Sequence, residues 1–316
     1  MNNHKTNLKG TAMNLTRKEF LKASSLLAGG LLLPGSKNFG RVFQQSTGNF
    51  KNLRDNIGIY TEKGGTIGWF LSQDAFVVID TQYPDSAKNM LTGLQKKTSR
   101  NIDLLFNTHH HGDHTSGNIY LKDFAERIIA QENCKALQEK AYGGDPAKPQ
   151  AYPTATFKKE WTQEIGKETV SAKFFGAAHT GGDSVVHFQN ANVAHVGDLV
   201  FNRTYPFIDS NGGGAIVNWP KVLENIIKYY PKDTTFVFGH GATDEFVTGS
   251  MNDLVAMKNY LAALVEFVSG EIKAGKTKEQ IASAAEIPGF GDLKERREGM
   301  RKMNLEKTFD ELFQKQ

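Results

Sequence analysis

The segment Thr108-His109-His110-His111-Gly112-Asp113-His114 places four histidines and an aspartate within seven residues. It directly follows Ile-Asp-Leu-Leu-Phe-Asn at residues 102–107, an apolar run that reads as a buried strand. A loop leaving the end of a strand can turn several side chains toward one point. His109 and His111 stand two apart, and Asp113 and His114 are adjacent, so one pair can serve each of two metal ions. Imidazole suits zinc, and a carboxylate completes a borderline-hard site. The bland alternative, a solvated histidine-rich loop, would bind metal weakly and promiscuously.

Upstream, residues 57–61, 66–72 and 75–80 are short apolar or alternating runs broken by Gly64-Gly65 and Gln73-Asp74, the pattern of strands. Pro84 opens a helix with apolar positions Ala87, Met90, Leu91 and Leu94. Downstream, the pattern predicts a helix over 115–124, a strand over 127–130 and a helix over 132–142. Further strands are expected at 168–175, 184–189, 192–196 and 235–238, and helices at 219–230 and 250–274. Strands and helices interleave in both halves, which favours a layered α/β sandwich with sheets inside and helices outside. Residues 47–275 read as one catalytic domain and 276–316 as a small C-terminal helical extension, with Thr277 and Gln280 as a capping box at its start.

The histidine-rich segment resembles the H-x-H-x-D-H signature of the metallo-β-lactamase superfamily. Three later segments resemble the superfamily's remaining ligand loops: Ala178-His179-Thr180-Gly181-Gly182-Asp183, His195-Val196-Gly197-Asp198 and Phe238-Gly239-His240-Gly241. Steps of 65, 19 and 42 residues lead from His114 to His179, to Asp198 and to His240, in the order and at the gaps of that family. The resemblance implies a four-layer αβ/βα sandwich with the site on one edge. It also implies that His109, His111 and His179 hold one metal, that Asp113, His114 and His240 hold a second, and that Asp198 bridges them. Two zinc ions are the expected cofactors, with iron or manganese as other metals that such donors accept.

Zinc lowers the pKa of a bound water to about 7, so a shared hydroxide would exist at neutral pH. No Ser-His-Asp or Cys-His nucleophile is then needed, and Asp113 is the natural catalytic group to orient that hydroxide and shuttle its proton. Asp at position 198 resembles glyoxalase II, lactonases, alkylsulfatases and phosphodiesterases, whereas true β-lactamases usually carry Cys or Ser there. An ester, thioester or lactone therefore ranks above a β-lactam, with β-lactamase or small-molecule phosphodiesterase activity on the same fold as the alternative. Flavodiiron and persulfide dioxygenase relatives are disfavoured, because His111 is not a carboxylate and all seven ligand positions are filled.

The N-terminal residues 1–46 read as an export signal and linker. Arg17, Lys18 and Lys22 precede the apolar, small-residue run 23–33, too short to anchor stably in a bilayer, and the signal reads complete from Met13. Thr16-Arg17-Lys18-Glu19-Phe20-Leu21-Lys22 resembles the twin-arginine motif, with Lys18 in place of the second arginine. The expectation is a periplasmic protein. This segment carries a net charge of +6 out of +4 for the whole chain, leaving about −2 for the rest. A slightly acidic mature chain gives no electrostatic reason for a nucleic-acid partner, so the expected partner is a small-molecule substrate. The single cysteine, Cys134, excludes an internal disulfide and reads as a buried apolar residue. His110 should point away from the metals, and His187 and His195 read as strand residues. Candidate substrate walls are the turn 62–65 as a flap, Thr204-Tyr205-Pro206-Phe207, the loop 211–214, and Asn218-Trp219; for each, ordinary packing is the alternative.

Overall fold

The computed structural model describes residues 48–147 and 149–313. The expected export signal and its twin-arginine-like motif lie outside the described residues. Seven strands form one sheet in chain order: β1 (Asn49–Arg54), β2 (Ile57–Thr61), β3 (Ile67–Leu71), β4 (Phe76–Ile79), β5 (Leu104–Asn107), β6 (Ile128–Gln131) and β7 (Ala155–Phe157). β1 to β4 pair antiparallel through short connections. β4 to β7 are parallel and so need crossovers, among them α1 (Pro84–Gln95) before β5 and α4 (Glu132–Tyr142) before β7.

The second sheet holds β8 (Glu160–Ile165), β9 (Glu168–Lys173), β10 (Val185–Phe188), β11 (Val193–His195), β13 (Thr235–Val237) and β15 (Thr248–Gly249), in the order β15-β13-β11-β10-β9-β8. β11 and β13 are parallel, and α5 (Trp219–Tyr229) lies in the crossover between them. A two-stranded ladder pairs β12 (Phe201–Asn202) with β14 (His240–Gly241), setting Phe201 opposite His240.

The layers follow from side-chain alternation. In β4, Val77 and Ile79 face the second sheet, packing in one core with Val186, Phe188 and Val237. Phe76 and Val78 face the other way, onto Met90, Leu91 and Leu94 of α1. Beyond the second sheet, Val185, Ala194 and Phe236 pack with Trp219, Val222 and Ile226 of α5 and with Leu254, Leu261 and Leu264 of α6 (Met251–Lys273). The result is the αβ/βα sandwich. The C-terminal helices α7 (Lys278–Ala282) and α8 (Met300–Phe313) are present, and Ile281, Met300 and Leu305 join the same core as α6. The Thr277–Gln280 capping box forms at the start of α7.

Two local departures from the sequence pattern have physical causes. The helix expected over 115–124 is replaced by two four-residue helices, α2 (Gly112–Thr115) and α3 (Asn118–Leu121). Tertiary bonds take their backbone groups: Asp113 O accepts from Gly65 N–H at 3.0 Å, His114 O from Thr81 N–H at 2.7 Å, and Gly117 N–H donates to Gln82 O at 2.8 Å. β1 and β8 lie at sheet edges, where one strand partner and mostly exposed polar side chains leave little hydrophobic pattern.

Candidate metal centre

Segments that follow strands supply the site: Asp80 directly after β4, residues 108–114 after β5, His179 between β9 and β10, Asp198 shortly after β11, and His240 at the start of β14. Because β4 and β5 are parallel, Asp80 stands beside Thr108 and accepts its N–H at 2.8 Å through Oδ1 and its hydroxyl at 2.7 Å through Oδ2. The same Oδ2 lies 2.7 Å from His114 Nδ1. A proton on Nδ1 therefore binds Asp80, which leaves Nε2 directed at the centre as the atom that would ligate a metal.

The expected ligands converge in two groups. His109, His111, His179 and Asp198 form one, and Asp113, His114 and His240 the other, each with its ligand atoms within 4.8 Å of one another. In the first group, His111 Nδ1 is 3.1 Å from His109 Nε2 and 3.0 Å from His179 Nε2. His179 donates from Nδ1 to Phe207 O at 2.8 Å, and His111 Nε2 reaches Asp209 Oδ2 at 2.9 Å. Two ring lone pairs thus face each other across 3.0 Å, an arrangement a shared cation resolves. In the second group, Asp113 Oδ2 is 3.1 Å from His240 Nε2.

Asp198 stands between the groups. Its Oδ2 is 3.8 Å from His109 Nε2 and 3.5 Å from both His179 Nε2 and His240 Nε2. Its Oδ1 is 3.1 Å from His114 Nε2 yet, among the described residues, is buried without a well-directed hydrogen bond. An orphaned carboxylate oxygen amid imidazole nitrogens fits a metal cation. The backbone must come close for this: a Cβ on Gly239 would overlap Asp198 Oδ1, and one on Gly65 would overlap the His114 ring.

The electrostatics also call for positive charge. Burial would raise the Asp198 carboxyl, but His240, His114 and His109 hold it well below the usual range. Asp113 is likewise held low against its burial, by His114 and His240. Burial disfavours charge on His114, but Asp198, Asp80 and Asp113 override it and raise its pKa well above the ordinary histidine value. By contrast, burial lowers His179 to about 3 and pushes His109 well down, with His114 adding repulsion. Both therefore offer neutral nitrogen donors at neutral pH.

The other sequence expectations divide. His110 turns to Asp209, 3.4 Å away, and its buried Nδ1 has no hydrogen-bond partner among the described residues. His187 is buried against Tyr230. His195 is buried too, but it positions the site: Nε2–H donates to Thr66 O at 3.0 Å, while Nδ1 accepts from Gly197 N–H at 3.1 Å, beside Asp198. Cys134 is free and buried, and burial raises its thiol pKa. Tyr205 and Phe207 line a cavity of about 380 Å³ that includes His111, Asp113, Asp198 and His240. The remaining wall candidates need correction. The turn 62–65 is tied to the centre at its end: Gly65 is bonded to Asp113 through its N–H and to the Gln82 side chain through its O. The loop 211–214 instead serves Asp209, through Gly212 N–H to Oδ1 and Gly214 N–H to the backbone O. Trp219 is fully buried and donates to Leu199 O at 3.0 Å.

Sequence reading missed Asp80 and Asp209 as partners of His114 and His111, and Tyr83, Tyr142, Arg296, Arg297 and Met300 as cavity walls. Only Asp80 left a trace, a carboxylate closing an apolar strand.

Known proteins agree with this architecture. The profile of the Metallo-beta-lactamase superfamily matches residues 61–241. The chain is similar to a metallo-beta-lactamase type 2 from Bacillus cereus, 22% identical over 214 residues that cover 64% of this chain and 80% of that protein. It is also similar to a hydroxyacylglutathione hydrolase from Hyphomonas neptunium, 26% identical over 229 residues, covering 70% and 74%. Among solved structures, a metallo-beta-lactamase from Pontibacter korlensis shares the fold with a TM-score of 0.59 at 18% identity, over 68% of this chain and 99% of that one. A double mutant of the sec-alkyl sulfatase PisA1 gives a TM-score of 0.67 at 13% identity, over 84% of this chain and 50% of that one. With the profile spanning more than half of its length and all four ligand loops, the chain belongs to the metallo-β-lactamase superfamily of metal-dependent hydrolases.

Proposed function

We propose that this protein is a dinuclear zinc hydrolase acting on an ester, thioester, lactone or related carbonyl bond of a small molecule. In this reading His109, His111 and His179 hold one ion, Asp113, His114 and His240 the other, and Asp198 bridges. The observation that carries it is the Asp198 carboxylate, buried between two nitrogen clusters, with Oδ1 3.1 Å from His114 Nε2 and Oδ2 3.5 Å from both His179 Nε2 and His240 Nε2. Bound there, zinc supplies a water nucleophile at neutral pH and polarises the substrate carbonyl.

The chain's own residues do the rest. Asp113 keeps 28% of its side chain exposed, on the cavity wall, and is held ionised by His114 and His240. In this reading its carboxylate would orient an attacking water and take its proton. Asp80 and Asp209 fix the ring orientations of His114 and His111. The Hyphomonas relative is a hydroxyacylglutathione hydrolase and the Bacillus relative a metallo-beta-lactamase. Aspartate at position 198 favours the former kind of substrate.

The test is metal analysis of protein purified without added metal, followed by a panel of chromogenic esters, thioesters, a lactone, a β-lactam and a phosphodiester. The expected result is zinc, with turnover of a carbonyl ester or thioester that a chelator abolishes. Turnover of the β-lactam alone would replace this substrate assignment. Iron as the native metal with no hydrolysis would overturn the hydrolase reading.

A further inference from the structure

We infer that the substrate carries an anionic group on an apolar body, and that Arg296 and Arg297 receive that group at the mouth of the metal-centre cavity. The inference rests on the hydrolase reading above and adds a substrate class to it.

Both arginines line the same cavity as Asp113, Asp198 and His240, although they lie more than fifty residues after the last expected ligand. Both are exposed, and among the described residues neither guanidinium has a hydrogen bond or ion pair. Of the two adjacent acids, Glu295 accepts the backbone N–H groups of Gly299 and Arg301, each at 3.0 Å, and among the described residues Glu298 forms no ion pair with either arginine. Two cations beside a buried centre, with no internal partner, are free to meet a ligand.

Their position is built in. Lys294 O accepts the Thr204 hydroxyl at 2.6 Å and the Tyr205 N–H at 3.1 Å, and Lys294 N–H donates to Arg203 O at 3.2 Å. These bonds stitch the segment carrying the arginines to the cavity wall that carries Tyr205 and Phe207. On the far side, buried Met300 joins the core. The backbone at 296–297 is thereby held at both ends, while the side chains stay free to close on a ligand.

The rest of the mouth is aromatic. Tyr83 and Phe207 are 41% and 37% exposed, unusual for such side chains, and Tyr142 stands beside them in the wall. A substrate with an apolar or aromatic body would cover that surface. The Tyr83 phenol feels both the Asp113 carboxylate and the Arg297 guanidinium. A ligand passing over Tyr83 therefore runs from the reacting centre to the arginine. A guanidinium pair suits carboxylate, sulfonate or phosphate, which accept paired N–H donors.

The test uses metal-loaded full-length protein and two matched esters, 4-acetoxybenzoate and its methyl ester. The charged ester should show kcat/KM roughly ten-fold higher or more, as expected for charge-assisted hydrogen bonds, and the preference should shrink in high salt. In R296Q/R297Q the preference should collapse through KM. R296K/R297K should retain part of it. K232Q, an exposed charge outside the cavity, should retain all of it. Calorimetry supplies a second readout, comparing p-toluenesulfonate with neutral methyl p-tolyl sulfone. Binding of the sulfonate alone, lost in R296Q/R297Q, supports the inference even if neither ester is hydrolysed, an outcome that would remove only aryl acetates from the hydrolase reading. Equal handling of both esters and no selective sulfonate binding, or a preference that survives R296Q/R297Q, overturns it.

Discussion

Replacing Asp80 with Asn tests how the chain sets the direction of its histidines. Asp80 is fully buried, and its two oxygens meet three donors: Thr108 N–H at 2.8 Å, the Thr108 hydroxyl at 2.7 Å and His114 Nδ1 at 2.7 Å. Asparagine has the same shape but only one accepting oxygen. If that oxygen stays with Thr108 N–H, an amide N–H faces His114 Nδ1. The imidazole must then move its proton to Nε2, the atom that points toward His240 and Asp198. That takes a lone pair away from the second metal group. The expected loss is about 10–100-fold in affinity for one of the two ions, or roughly 1.4–2.7 kcal/mol. If the tautomer does not change, a buried donor is left unsatisfied and folding stability falls by about 1–3 kcal/mol instead. Competition against a chromophoric chelator reads the first outcome and chemical denaturation of metal-free protein the second. Unchanged affinity for both ions together with unchanged stability would refute the reasoning.

Asp113→Asn should keep the fold, because the side chain lies on the cavity wall, and lower kcat by about 10²–10⁴-fold if Asp113 handles the proton; near-normal kcat would remove it from that role. Metal-free protein should lose stability on acidification. With His179 near 3 in the folded state and 6.5 as its ordinary value, the unfolded chain binds the extra proton between those limits, so stability falls as pH drops from 6.5 toward 3. Melting temperature against pH should be flatter over that window in His179→Gln. For the N-terminus, sequencing of protein recovered from the periplasm of a Gram-negative host should place the mature start between about residues 34 and 47; full-length protein confined to the cytoplasm of the native host would refute export.

Much of the site was visible as sequence because its residues cluster at strand ends. His109, His111, Asp113 and His114 lie within six positions, and the strand before them is plainly apolar. The structure gathers these with His179, Asp198 and His240 into two groups. What escaped reading depends on contacts between distant segments. Asp209 meets His111 across 98 positions of chain, with no local pattern around it. Arg296 and Arg297 reach the cavity only because the chain after α6 folds back and pairs Lys294 with Thr204. The broken helix over 112–121 was unreadable for a related reason: the carbonyls of Asp113 and His114 are taken by Gly65 and Thr81, which lie far upstream in the chain. Trp219 was misplaced as a substrate wall because an aromatic residue opening a helix looks the same from sequence whether it faces a pocket or the core.

In the proposed centre Asp198 holds two metal ions together. Metal content, measured by mass spectrometry beside kcat for wild type, Asp198→Ala and His110→Ala, tests it most directly. Asp198 lies within 3.8 Å of nitrogens in both groups, whereas His110 points to Asp209. Wild type should carry about two zinc equivalents per chain. Asp198→Ala should lose one of them and most turnover, because removing a carboxylate between two dications leaves their repulsion uncompensated. His110→Ala should keep both ions, with turnover reduced by at most about 10–100-fold. If Asp198→Ala keeps both metals and near-normal turnover while His110→Ala loses them, the ligand assignment is wrong.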